Sequence, residues 1–347
     1  MNQLAPRKRE LAVHKTIHPV VDALSYCARL VNGRPLSASI QEMREQYLFG
    51  PLEELERRLD TASSHLDASR LRFFFCMLGD HTEQNRSHCP NIASTVFMPS
   101  VIAYPHFHDL DSYREELKHY SEAEVIFQAR VTFAIPNEGW HIRECSDFYD
   151  YIAHFPATDE ERYQILGAVR NFPSYVDELT ELLRPIVACI QENASLYEPL
   201  LNRFGQTYGA IDAEALLKQD ARLFEHAAEV IDLYPSLFSI NERFTMFYQI
   251  ENDAPKRNHV EIGVLWDAAR QYRKRDMPLK ELASYTKVIG DPVRMQILAL
   301  LKNEEVYVQE LTEKMGLSFT TLSHHMTKLM MAGLVTSERR GIYVYYR

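Results

Sequence analysis

Asp291-Pro292-Val293-Arg294, Gly316-Leu317-Ser318, Ala332-Gly333-Leu334-Val335 and Arg339-Arg340-Gly341 follow one another near the C-terminal end of a 347-residue chain. Each fragment marks a boundary. A short helix over 279–289 ends at Gly290, and Asp291 can then cap a second helix whose first position is Pro292, where a missing N–H costs nothing. Val293, Ile297, Leu300 and Leu301 give that helix an apolar stripe. A third helix over 308–315 carries Val308, Leu311 and Met315 on one face and stops at Gly316. Ser318 caps a fourth, over 319–332, in which Leu322, Met326 and Leu329 recur at the spacing of a buried face. Phe319, Thr320, Ser323 and His324 are then the expected outward set of its first turns. Gly333 ends this helix, and two strands over 334–338 and 342–346 are predicted around Arg339-Arg340-Gly341. The series is a winged helix-turn-helix, helical with a two-stranded β-wing.

The remaining four-fifths is long enough for its own core or cores, and 46% hydrophobic residues supply the material. Only twelve glycines and many apolar repeats at three and four residues favour a mainly α fold. Helices are expected over 19–31, with Asn32-Gly33 as the stop, and over 52–59, 66–77, 148–155, 162–169, 175–190 and 213–233. Pro185 is expected to kink or split the sixth. Segments 123–135 and 236–250 are rich in β-branched and aromatic residues and read as short strands. The expectation is a helical body over 1–278 carrying a small β-sheet, then the winged helix over 279–347. The seam is placed near Pro278, after the basic run Arg270-Gln271-Tyr272-Arg273-Lys274-Arg275. That run is either a solvated helix end or a supporting phosphate contact.

Charge separates the two parts. Residues 279–347 hold nine Lys/Arg against seven Asp/Glu, a net +2, so the chain's −10 leaves −12 on the body. Acidic surface away from a contact face disfavours indiscriminate binding to phosphates. The N-terminal stretch has Arg7, Lys8, Arg9 and Lys15 but no apolar run behind them, and no eighteen uncharged apolar residues occur together. No membrane span is expected, and a cytoplasmic location follows. Cys27, Cys76, Cys89, Cys145 and Cys189 are odd in number and lack a paired spacing, which argues against a disulfide framework.

The run Ile289-Gly290-Asp291-Pro292-Val293-Arg294-Met295-Gln296-Ile297-Leu298, the turn and helix from Gly316-Leu317-Ser318 to Ser323-His324-His325-Met326, and Ala332-Gly333-Leu334-Val335 resemble the ArsR family of winged-helix transcription regulators. The resemblance covers about a fifth of the chain. It implies a homodimeric repressor that binds double-stranded operator DNA and releases it when a signal arrives. The body then serves as sensor or dimerisation region, responding to a small-molecule or protein effector. Two departures stand out. Metal-sensing relatives often carry Cys-Val-Cys before the turn, where this chain has Tyr307-Val308-Gln309. No helix with carboxylates and histidines follows the wing before Arg347. Neither usual metal site of the family therefore has its ligands here.

The candidate DNA-facing residues are Ser318, Phe319, Thr320, Thr321, Ser323, His324, His325 and Lys328 on the recognition helix, with Arg339 and Arg340 on the wing. Thr320 and Ser323 can bond base edges, His324 and Lys328 can reach bases or phosphates, and the two arginines suit the backbone or the minor groove. Phe319 either lies against a thymine methyl or covers the turn. His325 either contacts DNA or packs inside beside Met326. Met330 and Met331 stand where relatives usually carry charge, and suit either an interface or loose packing. In the body, His81, His88 and Cys89, the pair His106 and His108, and His141 with Cys145 could ligate zinc only by converging, and their spacing gives no reason for that. No metal, cofactor or catalytic residue is expected; HExxH, GxSxG and a Walker glycine loop are all missing from the sequence. A reading from another class makes the body an interaction module that binds a protein partner or forms the dimer without any small molecule.

Overall fold

The computed structural model of the protein describes residues 9–36, 50–79, 91–97, 108–133, 145–155, 157–219, 229–239, 243–248, 257–267, 283, 286–302, 305–332, 334, 335, 337–340 and 343–346. Strand β1 (Glu10–Val13) and helix α1 (Pro19–Val31) open the chain. Ten helices follow: α2 (Gly50–Ser63), α3 (Ala68–Phe75), α4 (Ile92–Val96), α5 (Leu110–Lys118), α6 (Glu122–Phe133), α7 (Cys145–His154), α8 (Asp159–Arg170), α9 (Phe172–Glu192), α10 (Ala194–Gly209) and α11 (Ala213–Gln219). Then come β2 (Val230–Ser236), β3 (Arg243–Tyr248) and β4 (Arg257–Gly263). The C-terminal region is α12 (Pro292–Leu301), β5 (Val306–Tyr307), α13 (Val308–Met315), α14 (Phe319–Met331), β6 (Ser337–Arg340) and β7 (Tyr343–Tyr346). The mainly helical fold with a small sheet in its body is therefore as expected, and no described helix is long and apolar enough to cross a membrane.

Helix α9 is the spine of the body, packed against α1, α2 and α5. It continues as one helix through Pro185, so the proline does not split it. An interior proline costs roughly 3 kcal/mol. Here Leu182, Leu183, Ile186, Val187 and Ile190 are buried on both sides of it, and that packing offsets the lost N–H bond.

Three further expectations are corrected. Segment 123–135 is not a pair of strands: residues 122–133 form α6. The overlooked signal is Ser121-Glu122-Ala123-Glu124, a capping box in which the Ser121 N–H donates to Glu124 Oε2 at 2.7 Å and the Glu124 N–H donates to Ser121 Oγ at 3.4 Å. The helix expected over 213–233 stops being one after Gln219 among the described residues, and Val230–Leu233 belongs to β2. Residues 237–239 are not a strand either; the Leu237 and Phe238 N–H groups donate to Asp22 Oδ1 on α1, at 2.8 and 3.2 Å.

The body's sheet has the order β1-β2-β4-β3, with β1, β2 and β4 parallel and β3 antiparallel at the edge. Its two faces differ in chemistry. Ile231, Leu233, Val260 and Ile262 join Phe204 and Tyr208 of α10 in one apolar cluster. The alternate positions carry Asp232 and Tyr234 on β2, paired in register with His259 and Glu261 on β4, so four polar side chains share the other face. The C-terminal region has its own cluster, drawn from Val288 to Tyr346. The seam proposed near Pro278 lies outside the described residues.

Candidate functional sites

The helix-turn-helix is α13, its turn and α14. Gly316 adopts the left-handed conformation at φ 62°, which a Cβ disfavours. The Leu317 N–H then donates to Thr312 O at 3.2 Å and the Gly316 N–H to Glu313 O at 3.3 Å, closing the end of α13. Ser318 is extended, and its Oγ accepts the Thr321 N–H at 3.2 Å, starting α14.

Leu322, Met326 and Leu329 are fully buried, and Ile297, Leu301, Val306, Leu311, Val335 and Tyr346 complete the core around them. Thr321, His324 and Lys328, at i, i+3 and i+7, are exposed along the opposite stripe. Ser318 is exposed at the cap and Phe319 is 56% exposed in the first turn. Ser323 departs from the outward set, being only 6% exposed. Three residues turn an α-helix about 300°, so Ser323 lies close to the direction of Met326. The side chains of Thr320 and Met331 lie outside the described set, whereas Met330 packs against the core.

His325 turns inward. Its side chain is 13% exposed and its Nδ1 lies 3.6 Å from Asp291 Oδ1, too far for a hydrogen bond. Burial lowers its pKa in spite of that carboxylate. Asp291 meanwhile caps α12 by accepting the Val293 and Arg294 N–H groups at 3.0 and 3.1 Å. Those bonds, the one from Arg294 first, hold its carboxyl below the usual range. The Arg294 guanidinium is buried and donates to the Val288 and Lys287 carbonyls, which end the helical turn at 286–289. The Asp-Pro-Val-Arg motif is thus a clasp between two helices.

The wing differs in detail from the two predicted strands. β6 and β7 pair antiparallel with Arg340 opposite Tyr343, and β5 adds a third strand on the far side of β7. Leu334 and Val335 precede the sheet, and Arg339 and Arg340 end β6 rather than forming the loop. Their side chains are outside the described set.

Three helices, a left-handed glycine turn and a hairpin define a winged helix-turn-helix protein. The family model for bacterial regulatory proteins of the arsR family matches residues 291–337. The chain is 43% identical over 65 residues to the arsenical resistance operon repressor of Staphylococcus xylosus, covering 19% of this chain and 62% of that one. It is 35% identical over 60 residues to the transcriptional repressor SdpR of Bacillus subtilis, covering 17% of this chain and 67% of the relative. With the arsenical resistance operon repressor of Staphylococcus aureus it shares 38% identity over 71 residues, 20% of this chain and 68% of that one. No solved structure matches the chain. By this C-terminal region the chain belongs to the arsR family; the matches leave the body uncovered.

A second constellation, on the polar face of the body's sheet, was not among the expected residues. His18 occupies the N-cap position of α1 but makes no cap bond with its side chain; instead its Nδ1 meets Glu261 Oε1 at 2.8 Å. The His18 and His259 ring centroids are 5.2 Å apart, and Tyr234 stacks on His259 at 4.4 Å. His14 stacks on Tyr234 at 3.9 Å, and its Nε2 lies 3.0 Å from Asp232 Oδ1. Burial, then the charge of His14, pushes the pKa of His18 down to about 3, and burial also lowers that of His259. Asp22 is pushed up to about 7, first by burial and then by Glu261. Of the histidines and cysteines weighed as zinc ligands from the sequence, His81, His88, Cys89, His106 and His141 lie outside the described residues. His108 is described, 4.4 Å from the His18 ring, and Cys145 begins α7.

Proposed function

We propose that the protein is a sequence-specific DNA-binding transcription regulator, a cytoplasmic homodimeric repressor in which residues 279–347 bind the operator and residues 1–278 receive the signal. The observation that carries this reading is the exposed stripe of Thr321, His324 and Lys328 on a helix whose other side is locked by Leu322, Met326 and Leu329. A helix presented in that way enters the major groove, and a dimer sets two of them about 34–36 Å apart on successive turns of one operator face. The relatives named as repressors support the same reading.

Within this proposal, Thr321, His324 and Thr320 read base edges, Lys328 and Ser318 meet phosphate, and Phe319 packs on a thymine methyl. Arg339 and Arg340, at the tip of the hairpin, contact the backbone beside it. Ser323 and His325 act from inside, holding the helix rather than touching DNA, as their burial suggests.

The test is equilibrium binding of the full-length protein to its operator and to random duplex across a salt series. Arg339→Ala and Arg340→Ala are each expected to weaken binding to both DNAs and to flatten the slope of log affinity against log salt by about 0.9 per lost phosphate contact. An unchanged slope in both variants removes the wing from the interface. His324→Ala is expected to cost roughly 1–3 kcal/mol on the operator and little on random DNA. Equal losses on the two DNAs reassign His324 to positioning.

A further inference from the structure

We propose that the body holds a divalent transition-metal ion between His18, His259 and Glu261. One donor atom from each of the three lies within 4.8 Å of the others, and all three residues are buried. Two features make this a built arrangement rather than a chance meeting. His259 and Glu261 are alternate residues of β4, held on one sheet face by parallel pairing with Asp232 and Tyr234 of β2. His18 is fixed just ahead of Pro19, where an N-cap residue ordinarily bonds the helix's own N–H groups; its ring is committed to the sheet instead.

The donor set selects the class of ion. Two imidazoles and one carboxylate suit zinc, iron or nickel rather than magnesium or calcium, which favour all-oxygen shells. Neighbouring ligands around an ion at bond lengths of about 2.1 Å stand roughly 3.0–3.4 Å apart. The His18–Glu261 separation of 2.8 Å is already near that value, and His259 closes the triangle by a shift of its ring. Three protein donors make an open site, with water or an added ligand completing the shell. Around it, Tyr234 stacks on His259 and His14 stacks on Tyr234 in turn, packing that fixes the plane of the His259 ring. Asp22 brings a second buried carboxyl, with Oδ1 accepting from Ser236 and from the Leu237 and Phe238 N–H groups. This inference is independent of the DNA-binding reading, and none of the residues belongs to the arsR-matched segment at 291–337.

The experiment titrates chelator-stripped full-length protein with Zn²⁺ against a chromophoric competitor, and with Co²⁺ followed by its visible absorption. One equivalent per chain is expected, with a thermal midpoint that rises with zinc concentration, since an ion that binds only the folded state stabilises it. His259→Ala and Glu261→Gln should lower zinc affinity by more than the roughly 10–100-fold that loss of an outer partner costs, whereas His14→Ala should keep the full equivalent. No bound equivalent and no rise in midpoint for the wild-type protein would overturn the proposal, leaving a hydrogen-bonded His–Glu pair. An equivalent retained at unchanged affinity in both ligand variants would overturn it as well, assigning the ion to another part of the chain. If one ligand variant fails to fold, the other still tests the assignment, and a wild-type protein that binds no equivalent overturns the proposal without either.

Discussion

Leu322→Ala is expected to unfold the C-terminal region and abolish DNA binding. Leu322 is fully buried in a cluster with eight other buried residues, drawn from α12, α13, α14, the strands β5 and β7, and Val335 ahead of the hairpin. Truncating such a leucine costs about 2–5 kcal/mol, the transfer term plus the cavity left behind. A core serving some seventy residues rarely supplies more than about 3–5 kcal/mol, so the loss is comparable to the whole. Amide hydrogen exchange of the full-length variant should show protection lost across α12 to α14 while α9 in the body stays protected. Leu322→Met, which nearly conserves volume, should cost under about 1.5 kcal/mol and keep DNA binding. Normal protection of α14 in Leu322→Ala would mean that the cluster does not hold the recognition helix.

Arg294→Ala is expected to be nearly as damaging, for a different reason. The side chain is 6% exposed, its Nε donates to Val288 O at 2.5 Å and an Nη to Lys287 O at 3.1 Å. Hydrogen bonds from a charged donor are worth about 1.5–3 kcal/mol, and removing this one strands two carbonyls at a helix end. The ion pair with Asp291, 3.6 Å away and partly exposed, adds little. Arg294→Lys should recover little of the loss, because a single ammonium cannot reach both carbonyls with the planar fork of a guanidinium. Urea unfolding of the C-terminal transition measures both. A midpoint unchanged in Arg294→Ala would show that the clasp between the 286–289 turn and α12 contributes nothing.

The winged helix was legible because local rules fix it. Asp291 before Pro292, Gly316 at a helix end and Ser318 at a helix start each act within four residues, and the structure uses all three in that way. Errors arose where two rules competed. In α6, aromatic and β-branched residues suggested strands, but the capping box at Ser121 and Glu124 decides for helix. In β2, a short apolar run is ambiguous between buried helix and buried strand, and its parallel pairing with β1 and β4 could be found only in the fold. On α14, the spacing of Leu322, Met326 and Leu329 places Ser323 on the outward face, but the buried face extends past Met326 far enough to cover it. The His18–Glu261 pair is 243 residues apart in sequence, joined only by the sheet, and no spacing could announce it.

Selection of genomic fragments by the purified full-length protein at physiological salt tests the central claim most directly, since non-specific binding there is weak, about 10⁻⁴–10⁻⁶ M. The account predicts recovery of a few fragments that share an inverted repeat, with half-sites about one helical turn apart. Recovery of random fragments, or of none above background, would contradict it.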